Sequence, residues 1–147
     1  MKKLLFLFIM MLSPMLASAD TVEIDGIYYN LTEETKVAEV TSNPQKYKGD
    51  IIIPASVEYD GITYKVKSIG GYAFYLCQEM TSVIIPNSVT TICNHAFDMC
   101  SGLTSVSIAS SVTKIQDYAF FGCKSLSSVN IPNNVTEIGQ GTFWECI

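Results

Sequence analysis

A chain of 147 residues, 48% of them hydrophobic, is long enough for one domain with a buried core. Its 14 acidic residues face nine lysines and no arginine, for a formal net charge of −5. That balance argues against binding to nucleic acid, where neutralised phosphates supply most of the affinity, and against an anionic membrane surface.

The N-terminus reads Met1-Lys2-Lys3, then an apolar run from Leu4 to Leu12, then Ala17-Ser18-Ala19. A basic start, a short apolar stretch and an A-x-A exit describe a secretory signal peptide over residues 1–19, cleaved after Ala19. The run is too short for a membrane anchor, and no later apolar run is long enough to span a bilayer. The first cysteine is Cys77, so a lipid anchor at the new N-terminus is not expected. Loss of Lys2 and Lys3 leaves seven basic residues against 14 acidic ones, an exported chain of charge −7.

Residues 20–50 read as an N-terminal β cap. VEIDGIYYNL places Asp25-Gly26 between two strand-like halves, a β-hairpin signal. KVAEVTS and DIIIP supply further strands, separated by the loop NPQKYKGD. From residue 51 the chain becomes periodic. Cys77, Cys100, Cys123 and Cys146 stand 23 residues apart, and their surroundings keep the same step. TSVIIPNSVTTICNHAFDMCSGL starts at Thr81, TSVSIASSVTKIQDYAFFGCKSL at Thr104, and SSVNIPNNVTEIGQGTFWECI at Ser127. An irregular copy, 51–80, precedes them. It carries nine extra residues around EYDGITYKV, where Asp60-Gly61 predicts a second hairpin. The units are therefore 51–80, 81–103, 104–126 and an incomplete 127–147.

Within a unit, Met80-x-x-Val83-x-Ile85, Leu103-x-x-Val106-x-Ile108 and Leu126-x-x-Val129-x-Ile131 have the L-x-x-L-x-L spacing of a leucine-rich repeat. Side chains two apart share one strand face, so Ser82, Ile84, Ser105, Ser107, Ser128 and Asn130 point the other way. The V-T-x-I pieces beginning at Val89, Val112 and Val135 predict a second short strand. The A-F-x-x-C pieces predict one helical or 3-10 turn with Phe97, Phe120 and Phe143 inward. One such unit cannot bury its apolar face alone, and stacking does so, with parallel strands about 4.8 Å apart. The predicted fold is a mainly β solenoid: a leucine-rich repeat of 23-residue units, short parallel strands and single helical or 3-10 turns, closed by a β-hairpin N-terminal cap.

The pattern S-V-x-I-P-x-x-V-T-x-I-x-x-x-A-F-x-x-C-x-x-L over roughly 51–147 resembles the BspA-type leucine-rich repeat of bacterial surface proteins, and the lead-in DGIYYNL…GDIIIP…YDGITYKVKSIG is similar to the N-terminal part of such proteins in Bacteroidales. The resemblance implies an exported adhesin or surface protein, with no shared catalytic residues.

CNHAFDMC, from Cys93 to Cys100, has the look of a metal or redox site. Aligned with its copies GGYAFYLC, QDYAFFGC and GQGTFWEC, it separates into parts. Cys77, Cys100, Cys123 and Cys146 form one structural column, read as reduced, buried thiols packing as small hydrophobes rather than as disulfides. His95 aligns with Tyr72, Tyr118 and Gly141, a variable position expected to be exposed, so convergent metal ligands are not expected. Cys93 has no counterpart and is the thiol expected to be reactive or to pair between chains. A single histidine far from the carboxylates argues against an enzyme, and no cofactor is expected.

Two surfaces offer binding: the polar strand face of Ser105, Ser107, Ser128 and Asn130, and a ridge carrying Tyr72, Tyr75, Tyr118, Phe121 and Trp144. The expected function is non-enzymatic binding of an extracellular protein or glycan at the cell surface. The alternatives are an N-terminal structural piece of a longer surface protein and, behind it, a secreted enzyme. The last repeat is expected to expose Val135, Ile138 and Phe143, an apolar end that would favour self-association.

Overall fold

The protein is described by a computed structural model covering residues 20–147; the predicted signal peptide at 1–19 lies outside the described residues. Strands β1 (Asp20–Ile24) and β2 (Ile27–Thr32) form the first predicted hairpin. Asp25 and Gly26 both take positive φ, 50° and 81°, which suits the right-handed twist of the flanking strands. β3 (Val37–Thr41) adds antiparallel to β2, and Ile27, Tyr29, Leu31, Ala38 and Val40 bury one face of this ribbon. β4 (Gly49–Ile52) follows, and then the second hairpin, β5 (Ser56–Tyr59) and β6 (Ile62–Ile69), turning at Asp60-Gly61. β6 accepts β3 in parallel along its other edge, so the ribbon closes the first end of the repeats.

The repeats coil with three sides. On one, β4, β7 (Met80–Ile85) and β9 (Ser105–Ile108) form a parallel sheet, so β4 spans residue 50 and ties the N-terminal segment to the first unit. On the second, β6 continues in parallel through β8 (Thr91–Ile92), β10 (Lys114–Ile115) and β11 (Glu137–Ile138). The recurring threonine of V-T-x-I has a structural task here. Thr136 and Thr113 each donate their amide to the threonine carbonyl one turn earlier, at 2.9 Å, and Thr90 donates to Lys67 O at 2.9 Å.

The third side differs from the predicted helical turn. It is a ribbon of linked turns, because alternate amides leave the segment. Ala73, Tyr75 and Cys77 donate three residues back, whereas Tyr72, Phe74 and Leu76 donate to Asn94, Ala96 and Asp98 of the next unit. The same alternation recurs from His95 to Cys100 and from Tyr118 to Cys123. A helix would need every amide for itself. The ribbon also needs left-handed residues at two positions per unit: Tyr72 and Leu76, His95 and Met99, Tyr118 and Gly122, Gly141 and Glu145. Left-handed backbone costs a non-glycine residue about 1–2 kcal/mol, so the inter-unit ladder offsets a recurring strain.

A second difference concerns the last unit. Its Leu126-to-Ile131 segment does not form the expected strand, although Val129 and Ile131 still pack on the core. Where β9 has Ser107 this segment has Asn130, a residue depleted in strands, and the ladder from β9 is not continued.

Inside, equivalent side chains form columns. Phe74, Phe97 and Phe120 are fully buried and stack at 4.8 and 4.9 Å, nearly coplanar; Phe143 continues the stack at 5.5 Å. Tyr47 closes its first end, 4.6 Å from Phe74 and tilted by 45°. The Tyr47 hydroxyl donates to Thr41 O (2.7 Å) and accepts from Tyr28 N (2.9 Å), which fastens the 43–48 loop to the cap. At the alanine position of the fourth copy stands Thr142, buried with its hydroxyl donating to Gly139 O at 2.8 Å.

Candidate binding surfaces

The ridge beside the turn ribbon is an ordered stack. The Tyr72 and His95 rings lie 4.7 Å apart and 4° from parallel, and His95 and Tyr118 lie 5.1 Å apart at 11°. Tyr75 stands edge-on to Tyr72 at 5.5 Å; Phe121 and Trp144 stand edge-on to Tyr118, each at 6.0 Å. The stack arises because Tyr72, His95 and Tyr118 occupy the same left-handed position in successive units. At the fourth copy that position is Gly141, and the Tyr118 ring leans over it: a Cβ there would come 2.5 Å from Tyr118 Cε1. Tyr72 is 51% exposed and Trp144 58%, while Tyr75, Tyr118 and Phe121 are half-buried. All five predicted ridge residues thus lie on one edge of the coil.

His95 is not the exposed side chain the sequence led us to expect. It is half-buried between two tyrosines, and its Nδ1 lies 2.7 Å from Asp98 Oδ2. Asp98 is buried, and its Oδ1 finds no partner. The imidazole is held by stacking and by this pair, and among the described residues no three His, Cys, Asp or Glu side chains gather to hold a metal.

The four column cysteines are free thiols. Cys100, Cys123 and Cys146 each donate to the carbonyl of the phenylalanine one unit earlier, at 2.9, 3.1 and 3.2 Å, and Tyr47 N donates to Cys77 Sγ at 3.4 Å. Hydrogen bonding with Cys123, followed by burial, pushes the Cys100 thiol up; burial pushes up Cys77 and Cys146. Cys93 is half-buried, and burial together with the Glu39 carboxylate raises its thiol also. The expected reactivity of Cys93 is therefore opposed by its surroundings, because the thiolate is the nucleophile.

On the strand face, Ser105, Ser107, Ser128 and Asn130 are exposed. The face is not uniformly polar. Ile52 is 68% exposed and pairs in register with Ile84, itself 46% exposed, so an apolar patch lies beside the serines. Asp50 at its edge accepts from Ser82 Oγ (2.6 Å) and Thr81 Oγ1 (2.7 Å), and these bonds hold its carboxyl below the usual range.

A third feature lay in the sequence without a recognisable signature. Asn94 Oδ1 accepts from Asp117 N at 3.1 Å, and Asp117 Oδ1 accepts from Gln140 N at 2.8 Å. These exposed polar side chains form a ladder one residue before the aromatic stack. Only their shared 23-residue spacing could have pointed to them.

Of the predicted open end, Ile138 is 52% exposed, whereas Val135 and Phe143 are partly buried against the core. No helix among the described residues is long and apolar enough to cross a membrane.

Six copies of the BspA type leucine rich repeat region match residues 55–147. Among solved structures, a leucine-rich repeat protein of Bacteroides ovatus is 34% identical over 85% of this chain, with a TM-score of 0.76. The chain spans about a third (33%) of that protein's length. A leucine-rich repeat protein of Bacteroides capillosus is 28% identical, with a TM-score of 0.75, over 84% of this chain and 89% of its own. A leucine rich cell surface protein of Faecalibacterium prausnitzii is 28% identical, with a TM-score of 0.65, over 88% of this chain and 41% of its own. A comparison with curated protein sequences finds no match. With repeat columns, inter-unit ladders and the family pattern all covering the same residues, this chain belongs to the BspA-type leucine-rich repeat family.

Proposed function

We infer that this chain is a non-enzymatic binding module of the cell surface, holding an extracellular protein or glycan against the ridge of Tyr72, Tyr75, Tyr118, Phe121 and Trp144. The observation that carries the reading is the ordered stacking of side chains that the core does not need. Tyr72 and Trp144 remain more than half exposed, yet their neighbours fix the rings edge-on or face-to-face. Rings held in place lose little freedom when a partner docks, and aromatics are enriched where proteins bind. The surface location rests on the family and on the likeness to the Faecalibacterium surface protein. A second reading, a protein partner on the strand face, is favoured by the exposed Ile52–Ile84 pair beside Ser105 and Ser107.

The test is a binding screen of the protein against extracellular matrix proteins and a glycan array, repeated with Tyr72→Ala, Trp144→Ala and Ile84→Ser. Loss of at least tenfold in affinity with the two ridge variants, and none with Ile84→Ser, is the expected outcome. The reverse pattern moves the site to the strand face. No binding to any member would favour a structural piece of a longer surface protein.

A further inference from the structure

We propose that the cleft beside the aromatic ridge is a binding site for a neutral saccharide. The inference rests on the binding-module reading and specifies its ligand class. A shallow cleft of about 500 Å³ crosses three successive units. Its polar lining is Asn94, Gln116, Asp117, Thr136 and Glu137, with Ile138 supplying an exposed apolar surface.

The backbone ladder fixes these side chains while leaving hydrogen-bonding capacity toward solvent. Gln116 Oε1 accepts from Asn94 N at 3.1 Å, and Asn94 Oδ1 and Asp117 Oδ1 are likewise used on backbone amides. Each interaction consumes one acceptor. The amide nitrogens of Gln116 and Asn94 and the second oxygen of Asp117 can still reach a ligand. Amide donors alternating with carboxylate acceptors match vicinal hydroxyls, each of which donates and accepts. The next residues in the chain after Asn94 and Asp117 are His95 and Tyr118 of the stack, with Trp144 edge-on to Tyr118. The ring faces of His95 and Tyr118 are taken up within the stack, so the apolar contact for a sugar in the cleft is Ile138, 52% exposed.

Charge selects among saccharides. Asp117 has no cationic partner among the described residues, and Glu137 is paired with Lys114 at 3.1 Å, so the cleft is net negative. The chain has 14 acidic residues and no arginine. Sulfated or uronic glycans would be repelled, because no guanidinium or free lysine lines the cleft to meet them.

Affinity electrophoresis of the full chain reads this directly. The probes are three neutral polysaccharides, galactomannan, xyloglucan and mixed-linkage β-glucan, and two anionic ones, polygalacturonate and heparin. Retardation by at least one neutral gel and by neither anionic gel is expected. Glu137→Ala and Asp117→Asn should each weaken that retardation at least fivefold, with circular dichroism and melting temperature unchanged; Asn at 117 keeps the oxygen that caps Gln140. Retardation by the anionic gels alone, or unchanged retardation in both variants, overturns the proposal. Binding of a matrix protein through Tyr72 and Trp144 with no saccharide retained overturns it as well, while leaving the binding-module reading standing. Absence of all binding removes both.

Discussion

Replacing Phe97 by alanine removes one of the two inner rings of a four-membered stack. Phe97 is fully buried and touches parallel rings on both sides, at 4.8 and 4.9 Å. A buried Phe→Ala change costs about 3–5 kcal/mol through lost transfer energy and the cavity left behind. Two lost aromatic neighbours place Phe97 at the upper end, about 4–5 kcal/mol. A domain of this size has about 5–15 kcal/mol in total, so the variant should lose about a quarter or more of its stability. Phe143 has one stacked neighbour, at 5.5 Å, and is only partly buried, so Phe143→Ala should cost about half as much. Urea denaturation followed by circular dichroism measures both. Because each unit contacts only its neighbours, a gap in the middle should also uncouple the two halves and lower the m-value, whereas the same gap at the end should not. Equal losses for the two variants, or a larger loss for Phe143→Ala, would refute the account of stability as a sum of stacked interfaces.

Other outcomes follow from the same geometry. Lys36 sits in a turn with φ of 53° and an exposed side chain, so Lys36→Gly should relieve left-handed strain and raise the melting temperature by about 2–3 °C; a fall would show that chain entropy outweighs the strain. Raised thiols at Cys77 and Cys100 make the folded state the stronger proton binder. Their contribution is intact below the ordinary thiol pKa of about 8.5 and is lost as pH rises above it, at about 1.4 kcal/mol per pH unit for each thiol ionised only on unfolding. Tyr29, pushed up to about 12 by burial, extends that loss above about pH 10; a urea midpoint flat from about pH 7 to 10 would contradict the thiol account, and one that falls no faster above pH 10 the tyrosine account. Cys93 should react with a maleimide at pH 7.5 more slowly than a free cysteine, and its rate should keep climbing past pH 9; a fast, pH-independent rate would refute the inhibition assigned to burial and Glu39.

The parts of the fold that were legible in the sequence are those repeated in it. A constant step of 23 from Cys77 to Cys146 reports the stacking, and apolar residues at L-x-x-V-x-I and V-T-x-I report two of the three sides, because burial on one face demands alternation. The third side reads in the sequence as a helical or 3-10 turn, and its three-residue-back bonds fit the second of these, but nothing in A-F-x-x-C announces that Phe74, Phe97 and Phe120 give their amides to the next unit. Left-handed backbone was equally hidden. Tyr72, His95 and Tyr118 adopt it without being glycine, and only Gly122 and Gly141 hint at it. The last strand fails for the opposite reason: Val129 and Ile131 keep the apolar pattern, but Asn130 stands where β9 has Ser107 and weakens the ladder. Among surface residues, the ridge could be named from its aromatics. Its order could not, because stacking depends on three backbones sharing one dihedral. The Asn94–Asp117–Gln140 ladder has no sequence signature because its members are different residue types joined through main-chain amides.

That ladder bears on how such a protein can vary its partners. Backbone bonds between units involve the main chain of Tyr72, His95 and Tyr118, not their side chains. The positions three residues further, Tyr75, Asp98, Phe121 and Trp144, differ in every unit, while the column behind them keeps alanine in three units, Ala73, Ala96 and Ala119, with Thr142 in the fourth. With the ridge as the proposed binding surface, recognition and stability would draw on separate sets of atoms. Trp144→Ala is the sharpest test of that separation. Its ring is 58% exposed and meets one neighbour edge-on at 6.0 Å, so its loss should cost at most about 1 kcal/mol of stability. Binding at the ridge should nevertheless fall at least tenfold, since exposed indole rings are common anchors of interfaces. A variant that loses stability and binding in proportion would show instead that the ridge is part of what holds the coil together.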